Sequence, residues 1–288
     1  MADKFSLTPI RNILFISDLH FGSTLAPAKR HRLDDGGYYD PSPLQRWLNR
    51  CWDDVTGDWF PWLTSDAPTE IIICGDAIDG VHHRATQLIT TSIKDQITLA
   101  KAMLQPLVEK VERVWVVRGT AAHTGEAGQA EEHLAWELGA QINEETGTSS
   151  FVELNREVEG LLIHVTHHVS PASPHTETSA LQRELNTEAI EYPDAGYERP
   201  NLQVRGHRHR FNYVKTVGNR AIMPLPAWQL KTNWFMSKKP MTVPQIGAVV
   251  VKLFEDGWYL PMERIHLPKQ AKIYRDGTGR KRGKARKK

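Results

Sequence analysis

The sequence predicts an α/β protein, and three observations predict it. Short apolar runs rich in β-branched residues alternate with apolar residues at helical spacing through the first half of the 288 residues. Each run hands polar residues to its carboxyl end, the side of such sheets where ligands gather. The second half consists of further strand-like segments separated by turn residues, so the sheet is expected to gain antiparallel members there.

The elements follow in order. In "IRNILFISDLH", Ile10 to Ser17 reads as a buried strand that delivers Asp18 and His20. Leu44, Trp47, Leu48, Cys51, Trp52 and Val55 fall on one face of a helix, with Pro41 and Pro43 before it. On that pattern Trp47, Trp52, Trp59 and Trp62 are core residues and not a base-stacking platform. "EIIICGD" repeats the strand arrangement over Glu70 to Cys74, followed by Gly75 and Asp76. Ile89, Ile93, Ile97, Ala100, Leu104, Leu107 and Val111 give a longer helix. "RVWVVRGT" supplies a third strand, Val114 to Val117, followed by Arg118, Gly119 and Thr120. Leu134, Ala135 and Leu138 suggest a short helix stopped at Gly139, and Leu181, Leu185 and Ala189 another. Segments 151 to 168, 202 to 205, 211 to 223 and 246 to 260 are strand-like, with "VGNR" and "EDGW" as hairpin turns. No repeat or linker interrupts the chain before about residue 263. Residues 1–262 are therefore expected to form one catalytic domain, and 263–288 a basic, disordered tail.

Composition narrows the function classes. With 40% hydrophobic and 24% charged residues the chain is an ordinary globular sequence. No apolar run approaches a membrane span, and "ILFI" is too short for a signal-peptide core, which points to a cytoplasmic protein without a membrane partner. Cys51 and Cys74 make neither a disulfide framework nor a cysteine zinc site. Histidine and carboxylate must supply any metal site. The last nine residues, "RKRGKARKK", hold seven of the 36 Lys and Arg, which leaves 29 basic against 34 acidic residues elsewhere. Such a tail is a solubilising device or, on the functional reading, a contact for nucleic acid.

"RGHRHR" at 205 to 210 poses the sharpest question. In an extended chain His207 and His209 point the same way, as ligands would, while Arg208 points the other. Collected from the strand ends, the candidates are Asp18 and His20, Asp76 and Asp79, His123, His167 or His168, and His207 with His209. One aspartate there is often a helix cap, but a mixed set on several strands is hard to explain by capping. Mixed oxygen and imidazole donors suit manganese, iron or zinc. His164 lies inside its strand and reads as a packed histidine. The loops "KRHR" (29 to 32) and "HHR" (82 to 84) read as solvated, with substrate phosphate as the functional alternative.

The order D-x-H, G-D-x-x-D, a glycine turn with histidine, histidine, then G-H-x-H resembles the calcineurin-like metallophosphoesterase family over residues 13 to about 210. The resemblance implies a four-layer fold, two packed mixed β-sheets flanked by helices. It implies two divalent metal ions at the strand ends, manganese first, with iron or zinc as alternatives. Asp18, His20 and His209 would bind the first metal, Asp76 would bridge, and His167 and His207 would bind the second. Asp79 would fix the loop. The family's third motif is G-N-H, whereas this chain reads "RGTAAH". Thr120 then takes the position of the asparagine ligand, and His123, two residues late, would either act on the leaving group or swing in as a ligand. Arg118 would help to neutralise substrate phosphate.

The implied function is a metallophosphoesterase, a phosphatase or phosphodiesterase using a hydroxide bound between metals about 3.5–4 Å apart. The alternatives are a nuclease acting on DNA or RNA and a non-catalytic phosphate or nucleic-acid binder on the same scaffold.

Overall fold

The computed structural model describes residues 8–82, 85–170, 176–270 and 273. Its strands are β1 (Arg11–Ile16), β2 (His31–Arg32), β3 (Tyr38–Tyr39), β4 (Thr69–Cys74), β5 (Arg113–Val117), β6 (Leu154–Val158), β7 (Leu161–Thr166), β8 (Leu202–Arg205), β9 (Val214–Lys215), β10 (Ala221–Pro224), β11 (Ile246–Leu253) and β12 (Tyr259–His266). The helices are α1 (Pro43–Asp53), α2 (Phe60–Leu63), α3 (Ile93–Val108), α4 (Ala121–Thr124), α5 (Gln129–Glu137), α6 (Glu177–Ala195) and α7 (Asn233–Lys238). No described helix is long and apolar enough to cross a membrane.

Ten strands form two sheets of five. The first has the order β12-β11-β1-β4-β5 and the second β6-β7-β8-β10-β9. In the first, β1, β4 and β5 run parallel, joined by helical crossovers, while β11 and β12 are antiparallel additions. In the second, β7, β8 and β10 run parallel, with β6 and β9 as antiparallel edges. Both sheets are thus mixed, as the four-layer reading requires.

The alternation of side chains along the central strands builds the layers. Leu14, Ile16, Ile71, Ile73 and Val250 face α1, α3 and α5 in one core. Their neighbours Ile13, Phe15, Ile72 and Val249 face the second sheet, where Ile163, Val165, Val204 and Met223 meet them. A third cluster packs Leu181 and Leu185 of α6 on Ile222 and Val214. Because β1 and β4 are buried on both faces, they read as continuous apolar runs. Burying each such side chain contributes about 1.5–3 kcal/mol.

Two expectations need correction. Trp62 is 72% exposed and not part of the core. A π-helical turn over Asp54–Trp59 follows α1, and its wider turn shifts the phase of the helix, so that Phe60 and Leu63 take the buried face and Trp62 does not. The boundary drawn at residue 262 falls inside β12, whose Glu263 to His266 pair with Ile246 to Val249 of β11. The run "RKRGKARKK" lies outside the described residues.

Candidate metal centre

The carboxyl ends of β1, β4, β5, β7 and β8 meet at one edge of the two sheets. The turns that leave β1 and β4 are laced together, Asp18 N–H donating to Gly75 O at 3.0 Å and His20 N–H to Asp76 O at 2.9 Å. The turn after β8 joins them through His207 N–H, which donates to Asp18 Oδ2 at 3.0 Å. Three segments distant in sequence thereby bring their polar residues together.

Those turns depart from ordinary backbone geometry. Asp18, His20, Asp76, His207 and His209 have φ of 51°, 46°, 50°, 68° and 56°. This left-handed region is uncommon for residues other than glycine, and its occupants cluster at functional sites. His207 and His209 are therefore not on an extended segment, which corrects the reason for expecting them side by side. Their rings take part in different clusters.

The first cluster is Asp18, His20 and His209, and the second Asp76, His167 and His207. His209 Nε2 lies 3.1 Å from Asp18 Oδ1, and His20 Nε2 lies 3.9 Å from the same oxygen. His167 Nε2 is 3.1 Å from Asp76 Oδ2 and 3.9 Å from Asp18 Oδ1, so one ring stands between the two carboxylates. His168 is exposed beside it, its ring 5.6 Å away. His20, Asp79 and His123 form a third, overlapping group.

Two of the inward rings are fixed from behind. His167 Nδ1–H donates to the Cys74 carbonyl at 2.8 Å, and His20 Nδ1 lies 3.1 Å from Asp79 Oδ1. Asp79 Oδ1 also accepts from Gln229 Nε2 at 2.9 Å. Pairing one ring nitrogen this way leaves the lone pair of the other aimed into the site, the usual arrangement of a ligating histidine. Asp18 Oδ1, His20 Nε2 and His167 Nε2 are buried without a hydrogen-bond partner, since the short His167 to Asp76 approach lacks hydrogen-bond geometry. An orphaned buried polar atom costs about 1–3 kcal/mol. Three that converge beside the Asp76 carboxylate fit a divalent cation pair.

The electrostatics agree with a cation site. Burial alone would raise the pKa of Asp18 and of Asp76, yet neighbouring imidazoles, His209 and His167 for Asp18 and His167 for Asp76, hold both below the carboxylate range. Burial pulls His167 down, but Asp76 and Asp18 push it up to about 10.

The turn after β5 supplies the remaining groups. Thr120 N–H donates to Asp76 Oδ1 at 2.7 Å, and its hydroxyl lies 3.1 and 3.3 Å from the two Asp76 oxygens. His123, on the single turn α4, donates from Nδ1 to the Asp79 carbonyl at 2.6 Å, and its Nε2 is 3.8 Å from Asp76 Oδ2. Burial, helped by the charge of His20, lowers His123 to about 4, so at neutral pH it is an uncharged ring with a free Nε2 lone pair. Gly119 has to lack a side chain, because a Cβ there would meet Asp76 Oδ1 at 2.0 Å.

Arg118 is not brought to the site. Its Nε donates to Ser150 Oγ at 2.8 Å and its guanidinium lies 3.6 Å from Glu132. The chain turns at Gly119, so Arg118 and Thr120 leave in different directions. Among the described residues the Lys and Arg side chains on the cleft are instead Arg208, Lys238 and Lys239. His164 is buried between Glu153 and Arg205, as a packed histidine should be. The "KRHR" loop forms part of the β2 and β3 hairpin and stays off the cleft. Of "HHR", His82 lines the cleft while residues 83 and 84 lie outside the described ones.

Two residues escaped sequence reasoning. Glu131 is fully buried, accepting from Ala77 N–H at 2.8 Å and Gly119 N–H at 2.6 Å, which ties the turns after β4 and β5 together. Burial, with Asp76 nearby, pushes it up to about 7. A signal existed: residue 131 lies three and four positions before Leu134 and Ala135, an acid on the apolar stripe of its helix. Gln229, which steers Asp79, sits in "PAWQL" with no such signal.

The cleft above the clusters measures ≈ 460 Å³. No protein-family model and no curated protein matches the chain. Among solved structures it is similar to a dimetal phosphatase from Danio rerio, with 10% identity and a TM-score of 0.49 over 89% of this chain and 96% of that one. A metallophosphoesterase from Sphaerobacter thermophilus gives 11% identity and 0.36 over 91% and 89%. Vps29 from Chaetomium thermophilum gives 14% identity and 0.37 over 90% and 99%. These likenesses are too distant to bear on activity. In the order of its motifs and in the strand end that each one occupies, the chain resembles the calcineurin-like metallophosphoesterases.

Proposed function

We propose that this chain is a metal-dependent phosphoester hydrolase acting on phosphomonoesters or phosphodiesters. The observation that carries the reading is the convergence of Asp18 Oδ1, His20 Nε2 and His167 Nε2, buried and unpartnered, on the space beside Asp76. Asp18, His20 and His209 would hold one cation, and His167 and His207 the other, with Asp76 shared between them. Manganese, iron and zinc all match this donor set. What a cation pair supplies at such a centre is Lewis acidity toward a phosphoryl oxygen and a lowered pKa for water.

The chain's own residues do the positioning. Thr120 holds the Asp76 carboxylate through its N–H and its hydroxyl, whose remaining lone pairs are the ligand capacity left to it. Asp79 and the Cys74 carbonyl set the tautomers of His20 and His167. His123 presents a lone pair and not a proton toward Asp76, which favours a ligand role over protonation of the leaving group. Metal analysis of the purified chain, with turnover of p-nitrophenyl phosphate and bis(p-nitrophenyl) phosphate before and after chelation, tests the reading. Two metals per chain and activity restored by manganese are expected. Turnover indifferent to prolonged chelation would sink it.

A further inference from the structure

The turns after β4 and β5 lie too close together for side chains between them. A Cβ on Gly75 would meet Gly119 Cα at 2.7 Å, and one on Gly119 would meet Asp76 N at 2.2 Å. Past the last strand pair, Cys74 with Val117, Thr120 reaches Asp76 through its carboxylate alone, by N–H to Oδ1 at 2.7 Å and by a hydroxyl near both oxygens. Those are the oxygens that cations would take. A joint built only on them would slacken as the centre filled.

Glu131 makes a joint of another kind. From the first turn of α5 its side chain holds the backbone on either side of the contact, Oε1 accepting from Ala77 N–H at 2.8 Å and Oε2 from Gly119 N–H at 2.6 Å. Ala77 follows Asp76 in the chain, and Gly119 precedes Thr120. One rigid carboxyl group thus sets the separation of the two segments without engaging an oxygen of Asp76. Among the described residues these two N–H groups are its hydrogen-bond partners. Burying a carboxyl group on the stripe that carries Leu134 and Ala135 opposes folding, where an apolar side chain would favour it. Packing of α5 alone calls for no such group.

We propose that Glu131 is a positioning residue of the centre: by holding Ala77 and Gly119 at a fixed separation, it keeps Asp76 where two cations can share it. It touches neither cation nor substrate and acts only through the two turns. The proposal rests on the reading of the clusters as a phosphoesterase centre that holds a cation pair.

The test is a manganese titration of the full chain followed by electron paramagnetic resonance, in which two Mn(II) ions sharing a carboxylate give an exchange-coupled spectrum distinct from that of isolated ions. Removing a group that orients a metal ligand weakens metal binding by about 10–100-fold. Glu131→Gln keeps the size of the side chain but turns an amide NH2 against one of the two N–H donors. It should therefore need about 10–100-fold more manganese to develop the coupled spectrum. Leu134→Val, fully buried on the same helix, is the control for stability alone, and it should melt lower yet need no more manganese than wild type. Should Glu131→Gln fail to fold by circular dichroism, Glu131→Asp replaces it. That variant keeps both oxygens but draws them back by a methylene, and it should shift the manganese requirement in the same direction. A wild-type requirement in the folded Glu131 variant overturns the proposal, as does an equal rise in Leu134→Val at an equal loss of melting temperature. A wild-type chain that shows only isolated ions at two manganese per chain sinks the reading of the centre itself. A coupled wild-type spectrum beside unaltered variants sinks the role of Glu131 alone.

Discussion

Gly119→Ala is the perturbation whose consequence the structure fixes most closely. The added Cβ would meet Asp76 Oδ1 at 2.0 Å, Asp76 N at 2.2 Å and Asp76 Cα at 2.9 Å, where carbon contacts settle near about 3.5 Å or more. Asp76 has nowhere to retreat, being buried, bonded to Thr120 of the same turn and already left-handed at φ 50°. The two turns must therefore separate by about 1 Å or more. Overpacking of this kind costs about 1–3 kcal/mol of stability. A displacement of about 1 Å at a catalytic group costs about 10² in rate, or about 2.7 kcal/mol of barrier. The expected protein is folded by circular dichroism, melts a few degrees lower, binds less metal and turns over p-nitrophenyl esters at least about 100-fold more slowly. Gly139→Ala is the control. Its Cβ meets nothing within 4 Å although φ is +66°, so it should lose about 1 kcal/mol of stability and no activity. Wild-type metal content and turnover in Gly119→Ala would refute the argument that Asp76 and its seat beneath Gly119 are the heart of the centre.

Three further outcomes are expected. Asp76→Asn keeps the fold but removes the charge shared between the two clusters, so phosphoester turnover should fall to background; near-wild-type activity would falsify the two-metal reading. His123→Ala should lose one metal per chain and slow good and poor leaving groups alike. Two retained metals with a loss of about 10²–10⁴ confined to poor leaving groups would instead assign it the proton. Deleting residues 280 to 288, with their seven cations, should flatten the salt dependence of single-strand affinity by about 5 in slope if the tail contacts nucleic acid, and an unchanged slope would leave it a solubility device.

The layers were legible in the sequence because burial on both faces leaves a direct trace, as in Ile13 to Ile16 and Ile71 to Cys74. The strand-end candidates were legible because polar residues that end an apolar run have few other uses. What escaped is what depends on direction. Arg118 and Thr120 are two residues apart, yet the turn at Gly119 sends one to Ser150 and the other to Asp76. Trp62 follows the helical spacing of its neighbours, but the π turn changes the phase before it is reached. The place of α7 was invisible for a different reason: "TNWFMSKK" resembles any exposed amphipathic segment until the fold sets it beside the cleft.

The left-handed residues explain why so local a motif needs so large a fold. Among the described residues seven non-glycine residues adopt that conformation; Glu159 and Asn219 turn hairpins, and the other five, Asp18, His20, Asp76, His207 and His209, are candidate ligands. At about 1–2 kcal/mol each, five such residues oppose folding by about 5–10 kcal/mol, comparable to the whole net stability of a typical domain. A short peptide with these motifs would relax to ordinary backbone angles. Here it cannot, because each turn leaves a strand buried on both faces, and the turns hold one another through Asp18 N–H to Gly75, His20 N–H to Asp76 and His207 N–H to Asp18. Residue choice softens the cost, since aspartate and histidine are among the side chains that tolerate this region best. The same two residue types supply the oxygen and imidazole donors that the centre requires. The chemistry asked of the candidate ligands and the conformation of the turns therefore select the same residue types at positions 18, 20, 76, 207 and 209, and a bulky apolar side chain there is disfavoured on both counts.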